Sequence, residues 1–233
     1  PREDADAAAI VGECLEEDGV AIHTACRVLK VQGGPLAYKA PWSQYKVTTQ
    51  LQNGADHTFT FAALLNATGR APNVTGLNLE KANVSYDARS GVHTDGFYRT
   101  SNPKIYAAGD VASVYKFTHA ADWQARCAVR NAFLDAKCQK SRLLVPWCTY
   151  VEPEVAAVGA SDMDLEQAGV AFDTYMRHLK DVDRCKCDGI DRGFVKIRTK
   201  KGGDKILGAS IVAPHAGDLI SELTVCMLSL IHI

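Results

Sequence analysis

Tyr106-Ala107-Ala108-Gly109-Asp110 and, shortly after, Phe117-Thr118-His119-Ala120-Ala121-Asp122 are the stretches that decide the fold. Ile105 to Ala108 is a short apolar run that reads as a strand ending in Gly-Asp. In open α/β sheets, ligands sit at the carboxyl ends of strands. Gly109 permits close approach of a bulky group, and Asp110 offers a carboxylate that accepts from hydroxyls. A helix is expected from about Ala120 to Ala136, with Thr118 as N-cap and Asp122 in its first turn. Its expected apolar stripe is Ala121, Ala125, Ala128, Val129, Ala132, Phe133 and Ala136. Unpaired N–H groups at such a helix start suit an anionic or developing negative group. Each element also has a plainer reading: Gly109-Asp110 as an Asx-turn, Thr118 to Ala121 as an ordinary capped helix, and His119 as a structural histidine.

Upstream, residues 5–18 read as a helix with Ala8, Val11, Cys14 and Leu15 on one face, stopped by Gly19. Val20 to His23 reads as a short strand, which is α/β grammar. Arg27 to Gln32 is expected as a strand, Gly33-Gly34-Pro35 as a turn, Tyr45 to Leu51 as an alternating strand and Asn53-Gly54 as a hairpin turn. Thr58 to Phe61 returns. Ala62 to Leu65 is continuously apolar, as a strand buried on both faces is. Ala67-Thr68-Gly69-Arg70-Ala71-Pro72-Asn73 follows, where Pro72 fixes the chain's exit. Arg70 suits a phosphate or a carboxylate partner, and reads equally as a surface arginine.

Downstream, Cys138 to Arg142 is a polar linker, and Val145-Pro146-Trp147 opens a new unit. Strands are expected at Cys148–Val151 and Val155–Gly159, and a short helix at Ser161–Ala168 capped by Ser161. Phe194–Thr199 and Lys205–Val212 are expected to form a hairpin, with a last helix from Ala216 to Leu228.

Of the 233 residues, 47% are hydrophobic and 23% charged, as in soluble globular proteins. The formal net charge of −1 leaves no basic excess for neutralising a run of phosphates, which argues against nucleic acid. The eight cysteines show no Cys-x-x-Cys pair and no zinc-finger spacing, so no metal site is expected. Cys185 and Cys187 would share a face on a strand, where a metal or redox role is conceivable; two reduced structural thiols are the simpler reading. A reducing compartment is expected. Three Asn-x-Ser/Thr sequons occur, one inside an apolar run that has no room for a glycan. No signal peptide is visible, no apolar stretch is long enough for a bilayer span, and the abrupt start at Pro1 suggests a piece of something longer.

Taken in order, the Thr68-Gly69-Arg70, Gly109-Asp110 and Phe117-Thr118-His119 elements resemble the pyridine nucleotide-disulfide oxidoreductases of class I. The resemblance continues through Val145 to Gly159, Asp191-Arg192-Gly193-Phe194-Val195-Lys196, Ile206-Leu207-Gly208-Ala209 and Val212 to Glu222, so it covers nearly the whole chain. It implies an α/β fold: the remainder of a Rossmann-like NAD(P)-binding domain (residues 1–72), a C-terminal segment of an FAD-binding domain (73–140) and a truncated α+β dimerisation domain (144–233). It implies FAD and NAD(P)H as cofactors, with Gly69, Arg70, Gly109, Asp110, Phe117, Thr118, His119 and Ala120 on the cofactor side and Asp110 on the flavin's ribityl chain. Partners implied are a second copy through residues 144–233 and a small-molecule or disulfide substrate, with no nucleic acid and no membrane. The Phe-Thr-His helix and Asp183-Arg184 lean toward mercuric reductase-like members. No two cysteines have the family's Cys-x-x-x-x-Cys spacing and His232 lacks a following Pro, so no catalytic residue is assigned and the isolated chain is expected to be inactive. Two alternatives stay open: a flavin NAD(P)H dehydrogenase without a disulfide, and a non-catalytic dimerising remnant.

Overall fold

A computed structural model describes residues 3–33 and 45–229. The chain divides into a larger unit, residues 1–15 and 71–233, and a smaller one, residues 16–70. Helix α1, Ala5–Glu17, starts in the larger unit. The Asp4 side chain accepts from the N–H of Asp6 at 3.0 Å, satisfying a donor that the helix start leaves open.

The smaller unit holds β1 (Arg27–Gln32), β2 (Tyr45–Gln50) and β3 (Asp56–Phe61), joined as an antiparallel sheet in the order β1-β2-β3. Val47 and Thr49 face inward from β2, while every residue of β1 is exposed. Residues 20–23 are irregular, not the expected strand, and so is the apolar run Ala62–Leu65, where Leu65 is 89% exposed. A strand buried on both faces needs ladder partners and covering elements on each side, and the described residues supply neither for this segment. The expected turn at Gly33-Gly34-Pro35 falls mostly outside the described residues, as do positions 230–233.

In the larger unit, β4 (Tyr86–Asp87) and β5 (Gly91–Val92) form a two-stranded hairpin. Its turn is built by Asp87, whose carboxylate accepts from the N–H groups of Arg89 at 2.8 Å and Ser90 at 2.9 Å. Val74, Val84 and Val92 make a small core beneath it. The expected strand Ile105–Ala108 reduces to a single bridge between Arg99 and Tyr106. Its apolar side chains are used in packing against that small core, where Ile105 and Ala107 sit, without a continuing ladder. Helix α2, Thr118–Leu134, follows.

Beyond it lies a five-stranded antiparallel sheet. In chain order its elements are β6 (Pro146–Thr149), β7 (Glu154–Gly159), helix α3 (Asp162–Gln167), β8 (Phe172–His178), helix α4 (Asp183–Cys187), β9 (Phe194–Lys200), β10 (Ile206–Ala213) and helix α5 (Ala216–Ser229). The strand order is β6-β7-β10-β9-β8. Ser161 caps α3 as expected, in a reciprocal box with Asp164. The sequence reading has neither β8 nor α4. Cys185 and Cys187 therefore lie on a helix, where residues two apart do not share a face.

This sheet is covered on both faces. Ala209, Ile211 and Ala213 of β10 pack with Ala216 and Ile220 of α5. On the other face Val212, Phe194 and Val155 pack with Ala7 of α1. The strand period of two sends alternate residues of β10 to the two helices. Polar residues join the α1 face as well. Lys196 Nζ donates to both carboxylate oxygens of Asp4 at 2.9 Å and to Asp6. Arg198, fully buried, makes two parallel bonds to Asp162 at 2.7 and 2.8 Å and reaches Asp4 and Ser210. Burial acts to lower the Lys196 and Arg198 values, but the carboxylates of Asp6, Asp4 and Asp162 outweigh it and hold both groups above their ordinary range. The side chains of Arg198 and Asp162 thus form a bidentate pair whose desolvation is offset by a full set of partners.

Candidate functional site

Gly109 begins a single tight helical turn, Gly109–Val111, with φ of +76°, a region that a side chain disfavours. Its N–H donates to Gln124 Oε1 at 2.8 Å, and Gln124 Nε2 donates to Ser113 Oγ at 2.9 Å. Gln124 is 2% exposed. A buried amide with both ends satisfied is a fixed strut, so the Gly109–Ser113 loop is tied to the second turn of α2. Lys116 Nζ donates to the carbonyls of Asp110 at 2.7 Å and Ser113 at 3.0 Å, closing the loop from its far side. Gly91 completes the support: a side chain there would meet the Val111 carbonyl at 2.1 Å. Asp110 itself is exposed.

Helix α2 starts one residue earlier than a Thr118 cap requires. Phe117 is the N-cap, extended at φ −121° and ψ 143°, and no side chain caps the helix. Thr118 is therefore its first residue, and Asp122 lies beyond the first turn, paired with Arg126 at 2.8 Å. The N–H groups of the first turn have no intrahelical acceptor, and the helix dipole places partial positive charge there. Thr118 and His119 are exposed and Ala120 is buried. His119 Nε2 donates to the Pro146 carbonyl at 2.8 Å, which fixes the tautomer because a carbonyl only accepts. Its ring stacks on Phe117 at 5.5 Å.

The buried face of α2 is Ala120, Gln124, Cys127 and Ala128, whereas Val129 and Phe133 of the expected stripe are 57% and 81% exposed. Gln124 was invisible to an apolar count because its burial depends on the bonds to Gly109 and Ser113. Beside His119 a cleft of about 400 Å³ is lined by Trp147, Cys148, Glu154, Asp218 and Ser221. Burial and the nearby Glu154 carboxylate push the Cys148 thiol up to about 11, so it is a poor nucleophile at neutral pH. Among the described residues no group of three or more His, Cys, Asp or Glu is placed to hold a metal ion, and no helix is long and apolar enough to cross a membrane.

Gly109, Asp110 and Phe117 to Ala120 are thus brought together in the larger unit around one strut. Gly69, at φ +122°, and Arg70 belong to the smaller unit, and both are exposed.

Residues 1–125 match the model of the pyridine nucleotide-disulphide oxidoreductases, and residues 145–230 match the dimerisation domain of the same family. A mercuric reductase of Streptomyces lividans is 30% identical over 223 residues, 96% of this chain and 45% of that protein. A dihydrolipoyl dehydrogenase of Mycoplasma pneumoniae is 31% identical over 229 residues, covering 96% of this chain and 46% of that protein. The crystal structure of LpdA from Mycobacterium tuberculosis superposes with a TM-score of 0.82 at 28% identity, over all of this chain and 48% of that one. The chain spans about half the length of these relatives. With both family models matched in the order that the Gly109–Asp110 loop and the enclosed sheet follow along the chain, the protein belongs to the pyridine nucleotide-disulphide oxidoreductase family.

Proposed function

We propose that this chain supplies the flavin-holding and subunit-joining part of an FAD-dependent NAD(P)H oxidoreductase acting on a sulfur or thiol-bound substrate. The observation that carries the proposal is the uncapped start of α2, tied by Gln124 to the Gly109–Asp110 loop. The residues present fit a flavin. Asp110 offers an exposed carboxylate for the hydroxyls of a sugar-alcohol chain, and the first N–H groups of α2 offer positive potential to an electron-rich ring edge. When bound, the flavin supplies the two-electron chemistry that passes hydride equivalents from nicotinamide to a cysteine pair. No pair of cysteines within these 233 residues has the spacing of that redox disulfide. The chain's own groups bind and orient: Phe117 and His119 shape the side of the helix start, and the His119–Pro146 bond joins it to the following sheet. Gly69 and Arg70 would serve the nicotinamide-nucleotide side. Residues 1–72, 73–140 and 144–233 would be pieces of the nucleotide, flavin and dimerisation domains.

Residues 144–233 are the proposed homodimer surface. Exposed Tyr150, Leu219, Val225 and Leu228 supply apolar area there. A mercuric reductase-like specialisation is the finer reading, supported by Phe117-Thr118-His119, by Asp183-Arg184 and by relatives that carry that name.

The test is flavin retention by the protein expressed from its complete gene. The protein should purify with an oxidised flavin spectrum and consume NAD(P)H with a thiol-bound or disulfide acceptor. Asp110→Ala should weaken flavin binding by about tenfold to a hundredfold, the loss of hydrogen bonds to a charged group. A protein that binds no flavin, or an Asp110→Ala variant with unchanged affinity, refutes the assignment.

A further inference from the structure

We propose that Cys127 and Cys138 form a dithiol site, separate from the cofactor-side residues, that a hydroperoxide oxidises to an intrachain disulfide. The pair is assembled by Asn131. Cys127 and Asn131 are four residues apart on α2 and therefore share a face. Beyond the helix the chain reverses through Asp135 and Lys137, both at positive φ, 46° and 52°. The Asn131 side chain then accepts the Cys138 N–H at 2.7 Å and donates to the Cys138 carbonyl at 2.9 Å. A second bond to the Phe97 carbonyl at 2.9 Å holds the amide in place. Cys138 is thereby laid on the cluster of Tyr98, Cys127 and Ala128.

The two thiols are neighbours. Burial first, then the hydrogen bond and charge of Cys138, push the Cys127 thiol up to about 11. Burial first, then both thiols, push up Tyr98, whose buried hydroxyl has no hydrogen-bond partner among the described residues. Nothing here resembles Cys185 and Cys187, which lie two apart on α4 and face different ways.

The exposures assign the order of events. Cys138 is half-buried and meets the oxidant, while Cys127 is 4% exposed. The Cys138 sulfur attacks one peroxide oxygen, the O–O bond breaks, and the second oxygen takes the thiol proton and leaves as water or an alcohol. The resulting sulfenic acid loses its oxygen as water when the Cys127 sulfur attacks, forming the S–S bond. Each sulfur gives up one electron and the peroxide takes two. Closure would staple the end of α2 to the segment that leads into β6.

Peptide mapping of the whole protein tests this. Reduced protein is exposed to hydrogen peroxide, alkylated, denatured and digested with trypsin, which cuts after Arg126, Arg130, Lys137 and Lys140 and so releases the two cysteines on separate peptides. The expected product is those two peptides joined, two hydrogens lighter than their sum and separated again by a reductant. Asn131→Leu should slow the joining by about tenfold, because it removes the bonds that hold Cys138 in place. Overoxidised Cys138 beside an alkylated Cys127, a Cys127 joined to some other cysteine, or an Asn131→Leu variant that closes as fast as the parent each overturns the proposal.

Discussion

Along β9 and β10 the residues alternate between two covered faces, whereas all six residues of β1 are exposed, Val28, Leu29 and Val31 among them. Both regions are antiparallel ladders, each with one register shift, at Val28/Lys30 and at Ile206/Gly208. Pairing already distinguishes them: β9 and β10 have ladder partners on both sides, whereas β1 is an edge strand paired only with β2. Cover differs as well. The large sheet has α5 on one face and α1 on the other, and a buried ionic cluster where α1 begins. Stability in a sheet therefore follows from what flanks and covers its strands more than from the strands themselves.

The widest contrast is in hydrogen exchange. Amides of β9 and β10 should exchange only through global unfolding, at about 5–15 kcal/mol, while β1 amides exchange through local opening at far lower cost. Equal protection of the β1 and β9–β10 amides would refute this. Next comes Arg198→Ala, which removes the bidentate partner of Asp162 and one of the two cations on Asp4, leaving Lys196 alone against both carboxylates. It should lower stability by about 3–5 kcal/mol in urea unfolding of the larger unit. Gly193→Ala places a side chain 2.1 Å from the Val212 carbonyl at φ of +117°, and should cost about 1–3 kcal/mol by the same measurement. Thr48→Ala breaks the Thr48–Thr58 hydroxyl contact at 3.0 Å across β2 and β3, and should cost only about 0.2–1 kcal/mol.

Acid sharpens the contrast further. The Arg198 guanidinium holds the Asp162 carboxyl below its ordinary value of 3.8. A lowered carboxyl contributes fully above the unfolded value and ceases to contribute as pH falls through the folded one. Urea midpoints of the larger unit should therefore decline below about pH 4, and Asp162→Asn should flatten part of that decline.

Much of the fold was legible. Helices α1 and α5, the Ser161 cap and the β9–β10 hairpin follow from local pattern, although on α1 Ala7 is buried and the expected Ala8 is exposed. β8 and α4 were not legible, because Phe172–His178 mixes exposed apolar and charged residues without strict alternation and α4 is only five residues long. Ala62–Leu65 misled because a continuous apolar run specifies a buried strand only where neighbours exist to bury it. At the candidate site the Gly-Asp turn pointed to Gly109 and Asp110, while Gln124, which ties that turn to α2, was missed because polarity normally marks an exposed position. The Asp4–Lys196–Arg198–Asp162 cluster was missed for a related reason: its members are up to 194 residues apart.

By itself the sequence determined the family, through the order of Thr68-Gly69-Arg70, Gly109-Asp110, Phe117-Thr118-His119 and the Val145–Glu222 segment. It also determined which residues share a helix face or a strand face, since those periods are properties of the backbone. Only the tertiary structure decided which face of α2 is buried. Periodicity says who stands beside whom, but not what lies opposite. Gly109 and Ser113 lie opposite Gln124, so Gln124 went inward and Phe133 stayed in water.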